Sequence, residues 1–215
     1  SYRTKFFNEF GELILCYDDK HYWRRDLFPY YKSNRKKDRT ESNLNWNELF
    51  ETLNLIRDEL KETFPYKVLQ VDGAEADDII ATIVNLVSKT PNLFEKILIM
   101  SGDKDFIQLQ THENVQQYSP TLKKFINGVD PNTYKIEHIF KGDRGDGIPN
   151  ILSPDNTFVE GLRQKPLGKN KIDSWKQVGT WPIDDWNEEI KRNYQRNCKL
   201  IDLDLIPSHI RDTIY

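Results

Sequence analysis

Carboxylates recur along this chain in tight groups: Asp18 and Asp19, then Glu75, Asp77 and Asp78, then Asp103 and Asp105. A further pair, Asp143 and Asp146, stands three apart in the glycine-bearing stretch "KGDRGDGIPN". Like charges this close repel, and each carboxylate resists losing its water. A hard divalent cation offsets both costs, and Mg²⁺ is usually held by a few carboxylates plus waters. Two such ions roughly 3.5–4 Å apart can activate a water and stabilise the leaving oxygen in phosphodiester hydrolysis. Taken singly, each group has an ordinary explanation. A D-x-D at a strand end caps a loop or helix, Glu75 and Asp77 suit a helix N-terminus, and Asp143 and Asp146 suit a turn. Asp18/Asp19, Glu75/Asp77/Asp78 and Asp103/Asp105 in this order, each at or just after a strand end, together favour a shared metal site.

These groups need a scaffold that gathers them. "ELILCYDD" (12–19) reads as a buried strand ending in Asp18 and Asp19, and "YKVLQV" (66–71), "KILIMS" (96–101) and "NVQQYS" (114–119) read as further strands. Residues 46–64 carry Trp46, Leu49, Phe50, Leu53, Ile56 and Leu60 at helical spacing. Residues 75–89 place Ala76, Ile79, Ile80, Ile83, Val84 and Val87 on one helical face. The alternation predicts an α/β fold, a mostly parallel sheet with helices on both faces. In such sheets ligands sit beyond the carboxyl ends of the strands, where the acidic groups fall. Beyond residue 130 the pattern turns helical, with 151–182 irregular around Pro154, Pro166 and Pro182, and a helix over 184–201. The expected organisation is an α/β domain over 1–130 and a helical C-terminal part over 131–215.

The 215 residues are 37% hydrophobic and 30% charged, which suits a soluble chain of one domain or one domain with an appendage. No apolar run approaches the roughly 20 residues of a membrane span, and no secretory signal opens the sequence. Cys16 and Cys198 form neither a disulfide framework nor a zinc spacing, and Cys16 inside "LILCY" reads as a buried thiol. An intracellular setting is expected. His21, His112, His138 and His209 are scattered and read as structural or surface residues. The net charge of −3 hides an asymmetry: residues 20–39 hold eight Lys/Arg against Asp26 and Asp38, a local +6. Such a segment can be a solvated loop. Here Tyr22, Trp23, Phe28, Tyr30 and Tyr31 are interleaved with the cations, and that mixture suits phosphates and unpaired bases.

"EADDIIA", "SGDKDFIQL" and "GDRGDGIPN", in this order, resemble the flap endonuclease and 5′-nuclease family, whose members share E-A-D-D, S-x-D-x-D and G-D-x-x-D-x-I-P. "YWRRDLFPYYKSNR", "QYSP" and "LIDLDLIP" extend the resemblance over nearly the whole chain, to the bacteriophage members with ribonuclease H activity. The resemblance implies a 5′→3′ exonuclease and flap endonuclease that uses two Mg²⁺ ions, with Mn²⁺ able to substitute, to remove RNA primers and nearby DNA during replication. By motif, Asp18, Glu75, Asp77 and Asp103 would serve one ion and Asp105, Asp143 and Asp146 the other, with Asp78 a weaker candidate. A basic helical arch would span about residues 20–45. Arg24, Lys32, Arg35 and Lys36 would contact nucleic acid there, and Lys32 and Arg35 would steer the scissile phosphate. Gly168, Lys169 and Lys171 would touch duplex. The implied partners are DNA and RNA–DNA hybrids with 5′ ends or flaps, plus a single-strand-binding protein and sliding clamp of a phage replisome. The setting would be the cytoplasm of the infected cell.

Two departures qualify the resemblance. Members of the family open with a strand bearing another metal-ligand aspartate, whereas this sequence enters at the helix before the second strand. The expectation is therefore a fold with its first strand missing. Its alternative to an active nuclease is an impaired fragment that acts only as a structure-specific nucleic-acid-binding module. The glycine hairpin that usually follows G-D-x-x-D is also replaced, by "ILSPDNTFVEGLRQK". A Toprim-type domain also uses D-x-D after a strand, but "GDRGDG" argues against it.

Overall fold

The computed structural model describes residues 1–35, 39, 42–93 and 95–215. Helix α1 (Tyr2–Phe10) leads into strand β1 (Ile14–Tyr17), then helix α2 (Trp23–Leu27), helix α3 (Trp46–Thr63) and strand β2 (Lys67–Gln70). Helix α4 (Ala76–Lys89) precedes β3 (Ile97–Met100), a 3₁₀ segment over Lys104–Thr111, β4 (Val115–Ser119) and β5 (Lys124–Phe125). The remainder is helical: α5 (Pro131–Lys141), α6 (Lys169–Val178), α7 (Glu188–Ile201), a short 3₁₀ turn (Leu203–Leu205) and α8 (Ser208–Ile214). This is the α/β arrangement with a helical second half that the alternation of strand and helix patterns predicts.

Strand pairing follows the expected parallel sense but in two pieces. β1 pairs in parallel with β2, Ile14 opposite Lys67, and β3 pairs in parallel with β4, Ile97 opposite Val115. β5 returns antiparallel to β4. Among the described residues these are two sheets rather than one. Side chains join them instead of main-chain hydrogen bonds. Ile79, Ala81 and Val84 of α4 share one apolar cluster with Ile99 of β3, Val115 of β4 and, at its margin, Cys16 of β1 and Leu69 of β2. β1 and β3 are accordingly only partly buried, against the expectation of buried strands.

α4 is fixed at its start by a capping box: Glu75 and Asp78 each take a backbone amide of the other. Its buried face then runs Ile79, Ala81, Thr82, Val84. α3 forms where its apolar spacing predicts, yet none of its residues is buried. Part of the stretch expected to be irregular is helical. α6 starts at Gly168 and stops at Gly179, and its Ile172 and Trp175 enter a second cluster with Phe140, Trp186 and Ile201. Aligned burial of two residues three apart suffices for a helix when aromatics surround them. That cluster also takes Phe28 and Tyr31 from the N-terminal half, while Leu203, Ile206 and Ile210 join the cluster around α4. Among the described residues, no helix is long and apolar enough to cross a membrane.

Candidate active site: an acidic crevice

The strand ends deliver the carboxylates to one crevice. Asp77 on the first turn of α4, Asp105 in the 3₁₀ segment after β3, and Asp143 and Asp146 in the turn after α5 line it together. That turn folds back tightly, with Ile148 N donating to Asp143 O at 2.7 Å and Asp146 N to Asp143 Oδ1 at 3.0 Å. Gly142 makes this possible. Its φ is +68° and a Cβ there would stand 2.3 Å from Ile148 O, so no other residue fits.

Glu75 stands beside them, 1% exposed, and three groups hold it. Arg24 pairs with it at 2.8 Å, Lys32 Nζ donates to its Oε1, and the Tyr31 hydroxyl lies 3.1 Å from its Oε2. The same hydroxyl stands 2.9 Å from Asp146 Oδ2, which links Glu75 to the crevice. Asp103 caps the 3₁₀ segment by accepting from Asp105 N at 3.0 Å. Asp18 is exposed at the rim, accepting from Ala76 N at 2.8 Å, and Asp19 accepts from Gly73 N at 3.0 Å. Asp78 is fully buried and bonds Trp23 Nε1, Arg24 and Glu75 N, so it holds the scaffold and faces no ligand.

The charge balance shows what the crevice lacks. Burial and then the neighbouring Asp103 push the Asp77 carboxyl up to about 7, Lys32 acting against them. Burial also raises Asp105, to about 6, with Asp103, Asp143 and Asp146 adding to the shift and His138 opposing it. Crowded oxygen donors that the protein's own cations leave under-neutralised fit a hard divalent ion. Asp77, Asp105, Asp143 and Asp146, with Glu75, Asp103 and Asp18 around them, are the residues that could hold one.

One residue of the site was not legible as such. His138, on α5, lies between two of the carboxylates, its Nδ1 3.3 Å from Asp105 Oδ1 and its Nε2 3.2 Å from Asp143 Oδ2. Ligand atoms of Asp105, His138 and Asp143 lie within 4.8 Å of one another. The expectation of a scattered structural or surface histidine is corrected. Its position five residues before Asp143, on the helix feeding the acidic turn, is the available signal. Tyr31 is a second correction, since at 3% exposure it orders carboxylates and offers no face to a base. Trp23 and Phe28 are likewise buried in the two cores.

The basic segment is not uniformly exposed either. Arg24 and Lys32 are buried by their acidic partners, whereas Arg35 is half exposed and pairs with Asp146. Lys32 has a positive φ, with its amide bonded to Asp146 O at 2.8 Å, and this aims its side chain back at Glu75. Lys36 lies outside the described residues. Lys169 and Lys171 are exposed on the first turn of α6, which packs on α5, with Lys171 Nζ 5.2 Å above the Trp175 ring.

Comparison with known proteins shows the family and the fold. Residues 4–139 match the 5′-3′ exonuclease, N-terminal resolvase-like domain. Ribonuclease H of Enterobacteria phage T4 is 35% identical over 213 residues, 95% of this chain and 68% of that protein. Flap endonuclease Xni of Shewanella sp. (strain MR-4) is 32% identical over 146 residues, 64% of this chain and 51% of that protein. The chain thus spans about two thirds of the first relative and about half of the second. The fold is also that of T5 D15 protein co-crystallised with metal ions, at a TM-score of 0.69 and 20% identity over 94% of this chain and 82% of that one. A complex of the T5 D15 flap endonuclease with DNA and metal ions superposes at a TM-score of 0.67, 20% identical over 94% of this chain and 81% of that one. The chain belongs to the 5′-3′ exonuclease family.

Proposed function

We propose that this chain is a divalent-metal-dependent 5′→3′ exonuclease and flap endonuclease. Its substrates are DNA and RNA–DNA hybrids with 5′ ends or flaps, and its setting is removal of RNA primers and adjacent DNA in phage replication beside single-strand-binding and clamp proteins. The observation that carries this reading is the convergence of Asp77, Asp105, Asp143 and Asp146 on one crevice with Lys32 and Arg35 at its edge. The relatives' activities and the oxygen-rich donor set point the same way.

Two Mg²⁺ ions, or Mn²⁺ in their place, would be held by Asp18, Glu75, Asp77 and Asp103 on one side and Asp105, Asp143 and Asp146 on the other. When bound they supply charge neutralisation and water activation. The protein's own residues do the positioning. Arg35, half exposed beside Asp146, presents a cation at the crevice edge that would orient a phosphodiester against the carboxylates, and Lys32, buried between Glu75 and Asp146, adds positive charge from behind them. The single Tyr31 hydroxyl proton, within reach of both carboxylates, is shared between Glu75 and Asp146 and keeps them in register. Burial, with Asp146 and Glu75 beside it, holds the Tyr31 phenol protonated, so it serves as a donor throughout.

The test is cleavage of an end-labelled 5′-flap DNA with Mg²⁺ and with EDTA. Short metal-dependent products support the reading. A mobility shift of the flap substrate with no cleavage in either condition would overturn it in favour of a binding module. The pairing of Lys32 with Glu75 and of Arg35 with Asp146 is the observation on that side, because it neutralises two of the carboxylates from within.

A further inference from the structure

His138 has one ring nitrogen accounted for and one that is not. Nε2 lies 3.2 Å from Asp143 Oδ2, a hydrogen bond that places the proton on Nε2 and so fixes the tautomer. Asp143 is itself held, its Oδ1 accepting from Asp146 N at 3.0 Å. The other nitrogen, Nδ1, is completely buried and, among the described residues, has no hydrogen-bond partner. It stands 3.3 Å from Asp105 Oδ1, and ligand atoms of Asp105, His138 and Asp143 lie within 4.8 Å of one another. Two acceptors facing each other at that distance repel unless a proton or a metal cation lies between them. A ring nitrogen whose far N–H is fixed by a carboxylate is the arrangement that metal-ligating histidines adopt.

The separation is also informative. Ligands at metal distances of about 2.0–2.2 Å that subtend an angle of about 90–110° stand roughly 2.8–3.6 Å apart. The 3.3 Å between Nδ1 and Asp105 Oδ1 falls inside that span. We propose that Nδ1 of His138 and the Asp105 carboxylate are direct ligands of one divalent ion, with Asp143 acting on that ion by orienting the imidazole. This rests on the metal-dependent reading above and sharpens it. One of the ions would then have a mixed nitrogen and oxygen shell. Imidazole suits Zn²⁺ and the later transition metals better than Mg²⁺, which prefers oxygen donors and retained waters. The two metal positions would therefore differ in selectivity, the His138 position taking the softer ion.

The experiment uses Mn²⁺ and the intact chain. Pulsed electron paramagnetic resonance of the Mn²⁺-loaded protein should show coupling to an imidazole nitrogen, and labelling with ¹⁵N-histidine should shift it. In His138→Gln the coupling should vanish. Its Zn²⁺ affinity should fall about tenfold or more, while its Mg²⁺ affinity stays within about twofold. Labelling of the unmodified chain keeps the test valid even where the variant folds poorly. Mn²⁺ bound without nitrogen coupling overturns the inference alone, leaving His138 as a carrier of a proton between two carboxylates. So does an unchanged Zn²⁺ to Mg²⁺ ratio in folded His138→Gln. No binding of Mn²⁺ or Mg²⁺ at all overturns the inference together with the metal-dependent reading.

Discussion

Replacing Arg24 by methionine removes the cation of a buried acidic network. Arg24 is 3% exposed, pairs at 2.8 Å with Glu75 and with Asp78, and donates from Nε to Leu200 O at 3.0 Å. Breaking a buried pair from one side leaves an uncompensated charge and costs about 3–5 kcal/mol. Glu75 would keep Lys32 and Tyr31, and Asp78 would keep Trp23 Nε1 and the Glu75 amide. That retained support puts the expected loss at the lower end, about 3 kcal/mol. For a chain of this size each kcal/mol lowers the melting temperature by about 2–4 °C, so the variant should melt about 10 °C lower. Thermal and urea unfolding followed by tryptophan fluorescence measure it. Adding Asp78→Asn removes the stranded charge and should recover about 1 kcal/mol or more, because the two sites share one network. A melting temperature for Arg24→Met within about 2 °C of the parent would refute the argument and return Arg24 to the surface role that its basic neighbourhood suggests.

Arg35→Ala should cut flap cleavage with under about 1 kcal/mol change in stability, being half exposed. Lys32→Ala should cut cleavage and lose a few kcal/mol as well, because it is buried against Glu75. In both, the salt slope of DNA binding should fall by about one unit per lost phosphate contact, and an unchanged slope would remove them from the nucleic-acid interface. Asp77→Asn in EDTA should raise stability by about 1 kcal/mol by removing a buried charge and its crowding with Asp103 and Glu75, while abolishing cleavage. A lower melting temperature without metal would contradict that crowding. Gly142→Ala should lose about 1–3 kcal/mol from backbone strain alone, and more from the clash with Ile148 O. A variant as stable as the parent would disprove the close approach.

The carboxylates were legible because their chemistry needs them at strand exits, and strand exits show in sequence as apolar runs that stop. α4 was equally legible, since its cap and its apolar stripe agree. His138 was not. A lone histidine on a helix gives no periodic signal, and its role depends on the turn at Gly142 carrying Asp143 back toward it. The inward aim of Arg24 and Lys32 was hidden for a related reason. A run of cations reads as a solvated face, and only the buried Glu75 and Asp78 on another element turn two of them into core. The aromatics among them followed the same course, with Trp23 and Phe28 drawn into different clusters. α6 was missed because two buried residues in ten make too weak a pattern against three prolines nearby.

The exchange of segments between the two apolar clusters has a consequence for biosynthesis. The cluster around α4 is completed by Leu203, Ile206 and Ile210, while Phe28 and Tyr31 wait for Phe140, Trp175 and Trp186. A ribosome that has released only the first half of the chain has therefore exposed apolar faces from both clusters and closed neither. Contacts of such long sequence separation slow folding and lengthen the interval in which the nascent chain can aggregate. Release of α8 then completes the cluster around α4, and a chain stalled before it should be a substrate for chaperones and proteases.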